Sequence, residues 1–214
     1  MDAKSTIVMG LMNCLYGLMH YRAILLMGAP GVGKGTQGKI LGKIPGFFHL
    51  ACGDVFRALD LNGEMGKSFI EYSSRGELVP DNLTIELWRQ HIEKMKTLGR
   101  YKPEGECLVL DGIPRNANQA RILADSLNVV HVFHLIGPER EVLVQRMQRR
   151  ALTDNRFDDA NLDIIHKRLD IYDQECRDMV SFYGRQITSE IDATRLPYRV
   201  LSDILNDIEL EVVV

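Results

Sequence analysis

Ala23-Ile24-Leu25-Leu26-Met27 runs directly into Gly28-Ala29-Pro30-Gly31-Val32-Gly33-Lys34-Gly35-Thr36. An apolar run ended by a glycine predicts a short buried strand. The residues from Thr36 to Lys43 have helical character, so the reading is strand, loop, helix. A G-x-x-x-x-G-K match carries weight only in that context. Its glycines let backbone N–H groups turn inward around a phosphate, and the helix N-terminus adds its dipole. Lys34 then supplies a point charge for the outer phosphates. One departure stands out. Gly35 follows the lysine where most such loops carry Ser or Thr, and the hydroxyl comes one residue later, at Thr36.

Further apolar runs lie at 47–50 (FFHL), 107–110 (CLVL) and 129–136 (VVHVFHLI), and a last strand is expected over Ile187–Asp192. Helical spacing of Leu83, Leu87, Ile92 and Met95 predicts a helix over 82–98, with Asp81 or Asn82 as its N-cap. A charged helix is expected over 139–150. A longer one is expected over 161–183, where Leu162, Ile165, Leu169 and Tyr172 share a face. Pro197 suits the first turn of a closing helix that carries Val200, Leu201, Ile204, Leu205 and Ile208. Residues 54–75 read as mixed, with turn signals at Asn62-Gly63 and Arg75-Gly76. Apolar strands alternating with helices imply an α/β fold, a parallel five-stranded sheet covered on both faces. Ligands in such folds bind at the carboxyl ends of strands, so chemistry is expected after Met27, Leu50 and Leu110.

The 214 residues are 45% hydrophobic and 26% charged, enough for one domain that needs no disulfide or metal staple. A net charge of −3 argues against a general nucleic-acid binder. Yet the basic residues are 17 Arg and 9 Lys, and Arg is the side chain of bidentate phosphate recognition. Residues 140–156 hold five of those arginines against Glu141 and Asp154. Cys14, Cys52, Cys107 and Cys176 are scattered, so a structural zinc site is not expected and a reducing cytosol is. No apolar run reaches the ~18 residues of a membrane span. Ile7–Met19 is apolar but interrupted by Gly10, Asn13 and Gly17. It reads as a helical extension over 1–20 packed on a core of 21–214, with a start at Met19 as an alternative. Asp2 and the lack of a small-residue cleavage site weigh against a signal peptide.

GAPGVGKGTQ (28–37) resembles the nucleoside monophosphate kinases, the adenylate kinases above all. HLACGDVFR (49–57), RGELVPD (75–81), DGIPRNANQA (111–120), RMQRRALTDNRFDD (146–159) and HKRLDIY (166–172) match in order. The resemblance spans about residues 22–208 and implies a P-loop NTPase fold with two small insertions. One, about 52–81, would bind the monophosphate, and a short lid, about 151–159, would close over ATP. The implied reaction is reversible transfer of the ATP γ-phosphoryl to a nucleoside monophosphate. Such chemistry needs positioning and cations more than a nucleophilic side chain. Family positions imply that Lys34, Arg115, Arg150, Arg156 and Arg168 surround the transferred group. Gly31 to Thr36 with Val32, Gly33 and Gly35, together with Arg146, Arg150 and Arg195, would hold ATP. The monophosphate would meet Cys52, Arg57, Glu77, Leu78 and Val79 from one side. Gly112, Ile113, Pro114, Arg115, Gln119, Arg156 and Arg168 would meet it from the other. Asp158 and Asp159 match a lid pair that meets arginines on closure. Asp111 ends an apolar strand, where a carboxylate can hold the water shell of Mg2+, and Thr36 as a direct ligand stays open. A monomer is the expected form.

The choice of base rests on three positions. Adenylate kinases usually carry Thr, and UMP/CMP kinases Ala, where this chain has Cys52, which fits neither. Gln119 follows the adenylate pattern and Asn116 the pyrimidine one. A site built to hydrogen-bond one base edge rejects another by leaving its polar groups unpaired, so Gln119 outweighs Asn116 and AMP is the expected acceptor. A UMP/CMP kinase and a non-catalytic nucleotide binder are the alternatives.

Overall fold

The apolar runs become strands because only a buried sheet can cover them on both sides. The computed structural model describes residues 20–153 and 159–208. It contains β1 (Tyr21–Gly28), β2 (Phe47–Ala51), β3 (Cys107–Asp111), β4 (Leu127–Ile136) and β5 (Thr188–Asp192). They form one parallel sheet in the order β2-β3-β1-β4-β5. β1 begins before its apolar run because Tyr21 and Arg22 pair with Leu127 and Asn128 of β4, a partner that local sequence does not reveal. The expected extension over 1–20 falls outside the described residues, His20 excepted, as do Arg156 and Asp158.

Alternate residues of β1 enter opposite cores, as the two-residue period of a strand requires. Ala23, Leu25 and Met27 share one core with Trp88 and Ile92 of a helix over Asp81–Thr97 and Leu123 of one over Ala117–Leu123. Ile24 and Leu26 share the other with Leu41, Met147 and Ile204. In chain order the helices are α1 (Lys34–Leu41), α2 (Cys52–Arg57), α3 (Glu64–Ser73), α4 (Asp81–Thr97), α5 (Ala117–Leu123), α6 (Arg140–Thr153), α7 (Leu162–Tyr183) and α8 (Pro197–Asp207). α7 reaches both cores, Ile165 and Leu169 in one and Met179 in the other. β1 thus leads to α1 on one face of the sheet and the adjacent β3 leads to α5 on the other. A crevice opens between such diverging connections.

Three local readings change. Residues 54–75 form most of two short helices, α2 and α3, joined where Phe56 stacks on Phe69 with ring centroids 5.2 Å apart. α5 was not expected. Its signal was Asn116, an N-cap whose side chain accepts from the Gln119 N–H. Asp81 is not the cap of α4. Pro80 holds that position without a side-chain hydrogen bond, and the Asp81 carboxylate turns instead to side-chain amides of the α5 region. Leu162 is 48% exposed although Ile165 and Leu169 on the same face are buried.

α1 lies so close to β2 that Gly38 faces the His49 ring. A Cβ at Gly38 would stand 2.2 Å from His49 Nε2. Gly38→Ala is therefore expected to lower stability by about 1–3 kcal/mol in urea melts, despite alanine's better helix propensity. In a His49→Ala background the same change should stabilise by about 0.5–1 kcal/mol, since the ring is gone and propensity alone acts.

Candidate active site

The register of the sheet brings the candidate residues together. Leu26 of β1 and Ala51 of β2 both lie level with Asp111 of β3. The loops starting at Gly28, Cys52 and Gly112 therefore leave from one edge. A cleft of about 360 Å³ opens above that edge. Gly31, Gly33, Lys34, Gly35 and Thr36 line it from one side. Gly33, at φ 115°, is the N-cap of α1 and offers no side-chain cap, so the first N–H groups of the helix face a prospective anion. Lys34 Nζ donates to the Gly28 and Ala29 carbonyls at 2.6 and 3.0 Å, which holds the ammonium over the loop. Burial pushes its pKa down to about 8. The Asp111 carboxylate opposes that shift, and Arg115, Arg150 and Arg168 add to it.

Asp111 faces the same cleft, and a Cβ at Gly35 would come within 3.4 Å of its Oδ2. A side chain at position 35 would start in van der Waals contact with this carboxylate, which the glycine leaves uncovered. Cys52 begins α2 and is buried against the cleft, where burial raises its thiol to about 11 and keeps it protonated. Arg57, one turn later, lines the cleft and pairs with Asp54. Glu77, Leu78 and Val79 close that side. Glu77 accepts from Lys167 Nζ of α7 at 2.7 Å, which holds its carboxyl below the usual range.

The opposite wall is cationic. Arg146 and Arg150 of α6 and Arg168 of α7 line the cleft. Asp159 lies between two of them with no exposed side-chain surface. Its Oδ2 accepts from Arg150 Nε and Nη2 at 2.9 and 2.6 Å, and its Oδ1 accepts from Arg168 Nη1. An acid expected to meet arginines on lid closure is thus a buried brace between two of them. Counting Lys39 of α1, seven cationic side chains line the cleft against Asp54, Glu77, Asp111 and Glu175. A chain of net charge −3 has gathered an anion-binding surface at one place.

On the wall after β3, Gly112, Pro114 and Arg115 line the cleft, while Ile113 is core. Arg115 Nε donates to the Gly112 carbonyl at 2.9 Å. Gln119, 1% exposed, lines the cleft from α5. Its Oε1 accepts from the Arg115 N–H at 2.8 Å, and its Nε2 donates to Asp81 Oδ1 at 2.8 Å.

Comparison with known proteins settles what this cleft belongs to. The family model described as "Adenylate kinase" matches residues 26–188. An adenylate kinase of Prochlorococcus marinus (strain MIT 9301) is 34% identical over 188 residues, 85% of this chain and 95% of the relative. One of Thermobifida fusca (strain YX) is 36% identical over 177 residues, 79% and 89%. One of Thermus thermophilus is 31% identical over 189 residues, 86% and 95%. The chain belongs to the adenylate kinase family. It is a nucleoside monophosphate kinase, a phosphotransferase, and these relatives lend no support to the pyrimidine alternative.

Adenylate kinases work with ATP and Mg2+, and the donors here fit that ion. Asp111 is a single carboxylate at the strand end beside the phosphate loop, the sparse oxygen donation that a largely hydrated Mg2+ takes. Among the described residues, no cluster of three or more His, Cys, Asp or Glu could hold a metal by itself, zinc included. No helix of the described residues is long and apolar enough to cross a membrane. Four of the described expected residues lie off the cleft surface. Asp159 is fully buried, Val32 and Ile113 are core, and Arg195 pairs with Asp203 and with Asp192 at 3.6 Å, beyond β5. Sequence reading also missed cleft residues. Tyr172 and Cys176 sit one turn apart on α7, and His134 Nε2 meets the Tyr172 hydroxyl at 2.8 Å. Only their spacing of four could have paired them.

Proposed function

We propose that this chain transfers the γ-phosphoryl of ATP to AMP, reversibly, giving two ADP. A phosphate oxygen of AMP attacks the γ-phosphorus and the bond to the β–γ bridging oxygen breaks. No proton has to move, so the protein's task is to align two polyanions and balance their charge. The observation that carries this reading is the convergence of the phosphate loop, Lys34 and the arginines on one cleft that Gln119 borders. The loop N–H groups and Lys34 bind the ATP phosphates, and Arg146 lies where the ATP base would stack. Arg115, Arg150 and Arg168 flank the transferred group, with Arg156 and Asp158 of the lid beyond the described residues. Arg57 takes the AMP phosphate and Cys52, Val79 and Gln119 the AMP base. Mg2+, held through water by Asp111, would add positive charge at the β and γ oxygens. Residues 52–81 then act as the AMP-binding insertion and 151–159 as the lid, whose closure keeps water from accepting the phosphoryl. Arg195 contributes to ATP only if that closure draws it in.

Cys52, Cys107 and Cys176 are free thiols, which supports an enzyme of the reducing cytosol. Both nucleotide sites belong to one chain, which supports a monomer.

A coupled assay of ADP production with Mg-ATP across AMP, dAMP, GMP, CMP and UMP tests the reading. AMP should be preferred. Turnover with none would overturn it, and a pyrimidine preference would reinstate UMP/CMP kinase. Gln119→Ala should raise KM for AMP by about tenfold or more with little change for ATP, since a buried hydrogen-bonding group is lost. An unchanged KM for AMP would exclude Gln119 from base recognition.

A further inference from the structure

Gln119 has a side chain that could read two opposite base edges. A primary amide carries a donor end and an acceptor end of nearly equal shape, so a half-turn of the terminal group exchanges them. A 6-aminopurine presents an acceptor at N1 and a donor at N6. A 6-oxopurine presents a donor at N1 and an acceptor at O6. A glutamine free to turn would serve both, and selectivity would vanish.

Here the amide is not free to turn. Its Nε2 donates to Asp81 Oδ1 at 2.8 Å, and its Oε1 accepts from the Arg115 N–H at 2.8 Å. A half-turn would set Oε1 against a carboxylate and an NH2 group against an N–H. Both contacts become repulsive at a site where Gln119 is 1% exposed and water cannot relieve them. Asp81 is itself held as an acceptor. Asn116 Nδ2 donates to Oδ1 at 3.0 Å, and Asn118 Nδ2 donates to Oδ2 at 2.7 Å. Burial raises its pKa, but the amides of Asn118, Asn116 and Gln119 more than offset that, so the carboxyl stays ionised. An ionised carboxylate can only accept, which removes the ambiguity of the amide it faces. Asn116 ties the arrangement to the backbone, since its Oδ1 also accepts from the Gln119 N–H at 2.8 Å. One Nε2 hydrogen and one Oε1 lone pair are left for a base in the cleft. They match N1 and N6 of a 6-amino base.

We propose that Asp81 is a specificity-determining positioning residue, which locks the Gln119 amide in the orientation that accepts a 6-amino base and rejects a 6-oxo base. The inference rests on Gln119 meeting the acceptor base, as proposed above. Asp81 need not touch the nucleotide. Its selectivity comes from making the wrong orientation repulsive. The lock sorts amino from oxo bases, and it does not by itself separate adenine from cytosine, which has the same acceptor–donor pair.

The test compares kcat/KM for AMP and for IMP, which differ in this edge alone. Asp81→Asn keeps the shape but gives position 81 a donor as well as an acceptor, so a turned Gln119 amide is no longer repelled there and only the Arg115 N–H still opposes it. The AMP-to-IMP ratio should fall at least tenfold, with KM for ATP within twofold of wild type. The ratio is taken within one preparation, so a loss of folded fraction cancels. Should Asp81→Asn yield no folded protein, Asp81→Ser carries the same expectation. Gln119→Ala should collapse the ratio, and Asp81→Asn should add nothing in that background. A ratio within twofold of wild type in Asp81→Asn, with Gln119→Ala still impairing AMP, overturns the lock and leaves the AMP reading standing. An equal drop from Asp81→Asn with and without Gln119 also overturns it. If Gln119→Ala leaves KM for AMP unchanged, the underlying reading of Gln119 fails instead.

Discussion

Lys34→Met should lower kcat by about two to three orders of magnitude, the usual loss when one preorganised charge is taken from a transition state. Nζ is held over the loop by the Gly28 and Ala29 carbonyls, which fixes its charge at that point. The same burial gives the wild-type enzyme a pH signature. Lys34 in the free enzyme loses its proton as pH rises through about 8, so kcat/KM for ATP should fall above that value. A bound triphosphate favours the charged form, so the corresponding limb of kcat should lie at higher pH. Folding stability shifts in the opposite sense. Below about 8 the ammonium is charged both folded and unfolded, and its desolvation penalty is fully present. As pH climbs from there toward the ordinary lysine value of about 10.4, the unfolded chain binds the extra proton, so stability rises. Wild type should therefore gain on Lys34→Met across that window, by about 2 kcal/mol after allowing for the water that reaches this half-buried group. Denaturant melts of both proteins at pH 7 and pH 10 measure the gain. A constant difference would mean that Lys34 is not desolvated.

Asp159→Ala should cost about 3 kcal/mol of stability and lower kcat about tenfold to a hundredfold. The carboxylate is fully buried, and both of its oxygens are used, by Arg150 and by Arg168. Removing it takes a shared, fully buried counter-charge from both guanidinium groups, and losing one member of a buried ion pair costs more than never having built the pair. Both arginines line the cleft, so their loss of position reaches the chemistry. The defect should be salt-sensitive, since sulfate can replace part of the missing charge. Thermal melts and steady-state rates with and without sulfate check both halves. Wild-type behaviour in both would show that Asp159 braces nothing.

Most of this architecture is written in local pattern. The short apolar runs at 23–27 and 107–110 can only be strands of a covered sheet, and their glycine endings mark the edge where loops must turn. The loop from Gly28 to Thr36 is legible because a phosphate cradle needs glycines, a lysine and a helix start in that order. The motif arginines at 57, 115, 146, 150 and 168 are legible for a related reason, since each is tied to its element by spacing, and all line the cleft. Less was readable where partners lie far apart in the chain. Asp81, with Asn82 as the alternative, looked like a helix cap, because an Asp or Asn just before helical apolar spacing usually is one. Its real partners lie 35 to 38 residues away. Asp159 matched a family position that meets arginines, but nothing local announces that they are Arg150 of α6 and Arg168 of α7 or that the carboxylate is fully buried. Gly38 was unremarkable until α1 settled on His49 of β2.

The sequence by itself determined the strand–loop–helix order, the family and the inventory of charges, because each depends on residues within a turn or two of one another. Only the tertiary structure decided which of those charges are free to meet phosphate and which are bound to each other. Pairing across the sheet and between helices sets burial, and burial decides whether a carboxylate such as Asp159 is a surface charge or the brace between two arginines. It likewise decides whether Gln119 is an amide that could turn or one held in a single orientation.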